Sequence, residues 1–150
     1  MIRVEKAKRH HLADIVAMLA NDPIGSTRED ASEPLNPAYI AAFNAISADQ
    51  NQFLAVALLD QSVVGTLHLS FIPGLALTGA WRGQIESVRI RQDHRDAGLG
   101  GTMIEWAIGR CREKGCRIVQ LTTDKSRRDA HRFYERLGFE ATHEGYKLKL

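Results

Sequence analysis

Arg95-Asp96-Ala97-Gly98-Leu99-Gly100-Gly101 places one basic side chain and three glycines between a β-type segment and a helical one. Residue types in that order suit an anion. The first N–H groups of a helix have no partner inside it and carry partial positive charge. Glycine lets the backbone approach a ligand with no side chain in the way, and Arg95 adds a fixed cation. Residues 88–101 therefore read as strand, basic turn, glycine turn and helix, a ready place for a pyrophosphate. This is not a Walker loop, because no Gly-Lys-Ser/Thr follows. Nor is it the dinucleotide fingerprint, which needs a third small residue where Met103 stands. Taken alone, a Gly-x-Gly before a helix equally describes a tight turn with no ligand.

The elements that must position this turn follow from hydrophobic periodicity. Residues 2–6 alternate as a first strand. Leu12, Ile15, Val16 and Leu19 share one helical face, which stops near Asn21-Asp22-Pro23. Residues 24–33 read as a loop. Asn36 as N-cap and Pro37 at the first helical position open a second helix, with Tyr39, Ile40, Phe43 and Ile46 on its buried face. Residues 53–59 and 63–72 are strands joined through Asp60-Gln61-Ser62 into a hairpin. Pro73-Gly74 ends it, and residues 75–83 are expected to be a loop. Residues 84–90 form the next strand and 91–97 an irregular stretch. Residues 98–114 form a helix with Met103, Ala107, Ile108 and Cys111 at helical spacing, ended by Gly115. Residues 117–122 are a strand. Ser126-Arg127-Arg128-Asp129 is a capping-box pattern before a last helix, whose core side is Ala130, Phe133 and Leu137. Residues 142–150 are expected to close the chain as a strand carrying Tyr146, Leu148 and Leu150. The order β-α-α-β-β-β-α-β-α-β predicts an α/β protein with a mixed parallel and antiparallel sheet.

With 150 residues, 44% hydrophobic and 25% charged, residues 1–150 are expected to form one domain with its own core. A formal charge of +2 is too small for a nucleic-acid footprint, and 7% aromatic content offers no stacking surface. Cys111 and Cys116 have neither zinc nor redox spacing and read as reduced thiols. No apolar run reaches membrane-spanning length, and no signal-peptide pattern opens the chain. The expectation is a cytoplasmic protein with no membrane or nucleic-acid partner.

Arg95-Asp96-Ala97-Gly98-Leu99-Gly100 resembles the Gln/Arg-x-x-Gly-x-Gly/Ala signature of the GNAT superfamily of N-acetyltransferases. Downstream, Ala130-His131-Arg132-Phe133-Tyr134-Glu135-Arg136-Leu137-Gly138-Phe139 resembles the family's Ala-x-x-x-Tyr-x-x-x-Gly-Phe ending. The likeness spans nearly the whole chain. It implies a GNAT-type fold of about six to seven strands, the central ones splayed, flanked by four helices. It also implies an N-acetyltransferase that takes acetyl-CoA as cosubstrate, needs no metal and acts on a small primary amine; dimers are common among relatives. By resemblance, pantetheine would lie in the gap between strands 84–90 and 117–122 and pair with the backbone of Val88 and Ile90. Arg95, Asp96, Ala97, Gly98, Gly100 and Gly101 would cradle the pyrophosphate. Tyr134 matches the tyrosine that meets the departing thiolate. Glu86 alternates with Val88 and Ile90, which would put all three on one strand face, and a carboxylate on this strand serves many members as general base. His68 and His131 compete for that role.

Departures from the family pattern matter too. Asp96 and Ala97 stand where Gly and a basic residue are frequent, and Gln92 replaces a frequent proline. Arg127 stands where many relatives have Asn. Lys125, Arg127 and Arg128 fit the dipole of a helix start poorly and CoA phosphates well. Two other readings share the motif: a non-catalytic acyl-CoA-binding or sensing module, and an enzyme acetylating a peptide N-terminus or lysine. Residues 24–35 and 75–83 would wall the acceptor site. There Glu29, Asp30 and Glu33 either attract a cationic amine or solvate the loop, and Trp81 either lines the pocket or caps an apolar edge.

Overall fold

A computed structural model describes all 150 residues. Its centre is a five-stranded sheet in the order β1 (Ile2–Lys6), β2 (Gln52–Leu59), β3 (Ser62–Ile72), β4 (Arg82–Ile90) and β5 (Ile118–Leu121). Neighbours are antiparallel except β4 and β5, which are parallel. The β2–β3 hairpin closes tightly because Asp60 and Gln61 both take positive φ, 47° and 73°, the twist that a two-residue turn needs.

Helices cover both faces. On one, α4 (Leu99–Lys114) packs Met103, Ile104, Ala107 and Cys111 onto Ala55, Leu67, Leu69 and Ile85. The approach is close: a Cβ on Gly83 would collide with Cys111 Sγ. On the other face, α1 (Leu12–Ala20) sets Ile15 and Met18 against Val56, Leu58 and Val63. Helix α2 (Pro37–Ala48) starts as its sequence demands, with Asn36 Oδ1 accepting from the Ala38 amide at 2.9 Å. It lies over β2 beside α1, and Tyr39, Ile40, Phe43 and Ile46 are only half-buried. A last helix, α5 (Arg128–Arg136), follows β5.

Four expectations need correction. Residues 142–150 form no strand; they run exposed, with no partner in the sheet, so there are five strands where six to seven were expected. Alternation specifies a strand's faces but not the neighbour that completes its hydrogen bonds. The capping box at α5 does not form, because the Ser126 hydroxyl and amide both bond back to Asp124 Oδ1, at 2.6 and 2.9 Å, leaving Arg127 at the N-cap. Residues 75–83 are not all loop. They contain a single turn, α3 (Ala76–Gly79), with Leu77 and Thr78 left-handed, and β4 begins at Arg82. Helix α2 has no fully buried residue.

Candidate active site

The site begins with an extra residue in β4. Glu86 pairs with His68 and Arg89 with Thr66, so Ser87 and Val88 together oppose Leu67 alone. Ser87 takes φ 54° to make this bulge. One inserted residue resets the alternation. Glu86 therefore shares a face with His68, Thr66 and Arg89, whereas Ile90, opposite Gly65, lies with Ile85 on the α4 face. The expectation that Glu86, Val88 and Ile90 share one face is corrected accordingly.

At the same place β4 leaves β5. The two pair only over Arg82–Ile85 and Ile118–Leu121, so from Glu86 onward the β5 side of β4 is unpaired and a cleft opens. Arg91 donates its amide back to Val64 at 2.8 Å. Backbone alternation therefore turns Val88 and Ile90 toward the cleft. Their carbonyls accept from guanidinium groups of this same chain: Arg89 Nη1 to Val88 at 2.9 Å and Arg95 Nε to Ile90 at 3.2 Å.

Helix α4 points its N-terminus at this region with no side-chain cap; Gly98, at φ 78°, is the N-cap. The Thr102 amide is the first to find a carbonyl, that of Gly98 at 3.1 Å, and no amide from 96 to 101 has a backbone acceptor. Asp96 is also left-handed, φ 64°. Left-handed residues within a run of free N–H groups curl them into an anion-binding concavity. A Cβ on Gly98 would meet nothing within 4 Å, so the space before the turn is open. These donors fit a pyrophosphate. The Arg95 amide bonds Gln92 within the turn, so only the side chain of Arg95 remains to serve an anion. Asp96 pairs with neither Arg91 nor Arg95; Arg91 grips Asp93 with two nitrogens, at 2.7 and 3.1 Å.

Across from α4 sits Tyr134, half-buried between Phe133 and Phe139, with ring centroids 5.1 and 5.8 Å away. Burial pushes its phenol up, and nearby Arg89 and Arg127 offset this only in part. The hydroxyl is protonated at neutral pH and can donate. Gly100 permits this closeness, since a Cβ there would lie 3.3 Å from Phe133 Cζ.

Beside Tyr134 lies a cluster of charge. Asp22, after α1, accepts from the Gly25 amide and from Arg127 Nη2 at 3.2 Å, and it faces Arg89 Nε at 3.0 Å. The Arg89 contact is bent, so that buried N–H has charge compensation but no proper hydrogen bond. Burial raises the carboxyl of Asp22, but the amide and two guanidiniums outweigh it and hold the group below its ordinary value. Burial also works against the charge of Arg89; Asp22 counters this, while Arg127 and Arg28 add to it. Two guanidiniums share one carboxylate, which leaves positive charge uncompensated at the cleft.

On the face of β4 turned away from α4, exposed Glu86 stands opposite half-buried His68. Burial lowers the imidazole pKa and Glu86 raises it in part, so His68 stays neutral at pH 7, bonded through Nε2 to Gln52 Oε1 at 2.7 Å. The His131 ring bonds the Asp124 carbonyl at 2.9 Å, apart from Glu86.

The description "Acetyltransferase (GNAT) family" fits residues 15–139 of this sequence. This chain belongs to the GNAT acetyltransferase family. It is 33% identical over 108 residues to the aminoalkylphosphonate N-acetyltransferase of Salmonella typhimurium, covering 71% of this chain and 68% of that protein. A transcriptional regulator from Bacillus halodurans C-125, known from its crystal structure, superposes with a TM-score of 0.98 at 43% identity over all of both chains. A predicted acetyltransferase from Clostridium acetobutylicum, solved with acetyl-CoA, shares the fold, with a TM-score of 0.76 at 19% identity, covering 99% of this chain and 96% of that one.

As a GNAT N-acetyltransferase, the chain brings Val88, Ile90, Arg95, Asp96, Ala97, Gly98, Gly100 and Gly101 together around one cleft. Tyr134 and Arg127 stand on its far wall, and Glu86 lies exposed on the face of β4 turned away from α4. Trp81 packs on the opposite, α4-side core beneath Lys114 Nζ, 5.2 Å from its ring centroid, and so caps an apolar edge. Glu29 and Asp30 are engaged by Arg28, Tyr39, Ser32 and Asn36 and belong to the loop's own structure. Cys111 is an inert core thiol, which burial and the neighbouring Cys116 push up to about 12. Sequence reasoning missed the partnership of Asp22 with Arg89 and Arg127, for which no local spacing exists.

Asp22→Asn leaves both guanidiniums uncompensated in a largely buried place. It is expected to destabilise the fold by about 2 kcal/mol, somewhat below the loss for a fully buried pair. Because the carboxyl of Asp22 is depressed in the fold, its contribution is complete above the unfolded value near 3.8 and fades as pH falls through the lower folded value. Urea midpoints at pH 7 and pH 3 check this: the gap between wild type and variant narrows in acid.

Proposed function

We propose that this chain, acting as one domain over residues 1–150, transfers the acetyl group of acetyl-CoA to the primary amine of a small acceptor that also carries an acidic group. The observation that supports it most is the unpartnered amide run 96–101, set at the mouth of the β4–β5 gap. Bound acetyl-CoA supplies an activated thioester. In this reading the amides from 96 to 101 and the Arg95 side chain hold the pyrophosphate, Val88 and Ile90 offer backbone groups to pantetheine, and Arg127 adds positive charge to the wall that faces the CoA phosphates. Glu86, directly or through a water, takes the proton from the acceptor ammonium, so that the amine attacks in a ternary complex. The N–H of Ile90 steadies the oxyanion, and Tyr134 gives its proton to the leaving sulfur.

The acidic group of the acceptor is inferred from Arg89. It shares the acceptor face with Glu86, on the order of 7 Å along the strand, a span that a short aminoalkyl chain and the two side chains bridge. The likeness to an aminoalkylphosphonate N-acetyltransferase supports an acceptor that carries a phosphonate. Arg89→Gln is expected to raise KM for an aminoalkylphosphonate about 10- to 100-fold, the worth of a charge-assisted contact. KM for a neutral amine of equal length should change little. An equal loss for both amines, or a wild-type preference for the neutral one, would overturn the acidic-acceptor assignment. A second reading, a sensor that binds acetyl-CoA without turnover, is favoured only by the name of the Bacillus halodurans relative; acetyl-CoA binding with no product from any amine would establish it.

A further inference from the structure

Asp22 and Arg89 are the most enclosed partners of any ion pair in the chain, with side chains 9% and 12% exposed. Burying two charges this far is costly unless both are held in place. The carboxylate is held by its own loop. A Cβ on Gly25 would collide with the Leu19 carbonyl, so glycine lets the chain fold back tightly on the last turn of α1. That fold brings the Gly25 amide to Asp22 Oδ1 and the Ser26 amide to the Asp22 carbonyl at 2.9 Å. Ser26 and Thr27 close the turn with their hydroxyls on the carbonyls of Pro23 and Ile24. Asp22 Oδ2 is left facing two guanidiniums, those of Arg89 and Arg127.

The guanidinium of Arg89 is held at two of its three nitrogens. Nε faces Asp22 at 3.0 Å, and Nη1 donates to the Val88 carbonyl at 2.9 Å. Nη2 makes no hydrogen bond, and Nε is the one nitrogen of this side chain buried without a partner, so Nη2 reaches solvent. A planar fork fixed along one edge presents the other in a set direction. Arg127 and Arg28 both repel Arg89, and Asp22 is the acidic group that counters them. Without that carboxylate, nothing keeps the fork from turning away toward water.

We infer that Asp22 is a positioning residue: it fixes the guanidinium of Arg89 so that the free Nη2 edge meets the acidic group of the acceptor, and it thereby sets the preference for acidic over neutral amines. The preference rests on the acidic-acceptor reading above; the fixing of Arg89 does not. Asp22 acts on the acceptor only through Arg89. A plain strut would behave otherwise, because losing it would loosen the loop and weaken every acceptor alike. Asparagine separates the two roles. It keeps the shape of Asp22 but is neutral, and its single oxygen cannot serve both the Gly25 amide and the guanidiniums.

Kinetics with a short aminoalkylphosphonate and a neutral amine of equal length test this on Asp22→Asn, Arg89→Gln and the double variant, each shown folded by circular dichroism. Asp22→Asn is expected to raise KM for the phosphonate about tenfold, the worth of misaligning one charge-assisted contact, with kcat and the neutral amine's KM within about twofold. In the Arg89→Gln background it adds nothing, because the two residues act as one. A second readout needs no acceptor. The Nε–H signal of Arg89 in a nitrogen–proton NMR spectrum is recognised by its loss in Arg89→Gln. It is expected to exchange slowly in the wild type and like those of exposed arginines in Asp22→Asn. The inference is overturned by a fast-exchanging signal in the wild type, by a slow one in Asp22→Asn, by a KM rise shared by both amines, or by a rise that persists without Arg89. A fall in KM for the phosphonate would also overturn it, since Asp22 would then compete with the acid. Equal wild-type KM values for the two amines would instead end the acidic-acceptor reading and the preference drawn from it, with the NMR signal still deciding whether Asp22 fixes Arg89.

Discussion

Valine at both Gly98 and Gly100 is expected to abolish acetyl-CoA binding in a protein that still folds. Gly98 holds φ 78°, a conformation that a β-branched residue adopts only with strain. The turn then relaxes, and the free amides at the start of α4 lose their common direction. At Gly100 the new side chain meets Phe133, whose Cζ lies 3.3 Å from the first added carbon, and pushes α5 with Tyr134 away from α4. Losing two charge-assisted hydrogen bonds costs about 4 kcal/mol, or roughly 10³-fold in affinity. Titration calorimetry with acetyl-CoA, and free CoA alongside, reads the loss. Gly109→Ala is the control: its Cβ meets nothing within 4 Å, and it should bind as the wild type does. Unchanged affinity in the double variant would place the pyrophosphate elsewhere.

Glu86→Gln is expected to lower kcat by about 10²- to 10³-fold, within the range for a lost general base, while acetyl-CoA affinity and thermal stability hold. Gln keeps the shape, and Glu86 is exposed and makes no ion pair or hydrogen bond whose loss would unsettle the fold. Tyr134→Phe removes the proton that burial keeps on the phenol and is expected to cost kcat about tenfold. His68→Gln separates the two base candidates. Nε2 of His68 is already committed to Gln52, so that variant should change kcat only a few-fold. A collapse in His68→Gln with a mild effect in Glu86→Gln would exchange the roles.

Much of this was legible because it is local chemistry. Asn36-Pro37 starts α2, Asp60-Gln61 turns the hairpin, Gly115 ends α4, and Gly98 with Gly100 marks the helix start that faces the cleft. Each is decided within a few residues by φ preference or a missing side chain. The features that escaped depend on the partner. Nothing near Ser87 announces a bulge; the extra residue shows itself only when β4 is laid against β3, and it moves Arg89 onto the same strand face as Glu86. Asp22 reads as a loop acid until the fold sets it against Arg89 and Arg127. Ser126 has the residue type for an N-cap, but Asp124, two positions earlier, competes for its hydroxyl and amide. The tail has a strand's alternation without a strand's neighbour, because alternation is a property of the segment and pairing is not.

The central claim is that the cleft between β4 and β5, capped by the bare start of α4, holds acetyl-CoA for transfer to an acidic amine approaching from the side of Glu86. The direct measurement is incubation of the full chain with acetyl-CoA and a short aminoalkylphosphonate, following CoA release and the mass of the amine together. The account predicts one CoA released per acceptor gained in mass by one acetyl group, with both signals absent in the Gly98, Gly100 double variant. Intact acetyl-CoA and an unchanged amine, in a protein shown by calorimetry to bind the cosubstrate, would contradict it.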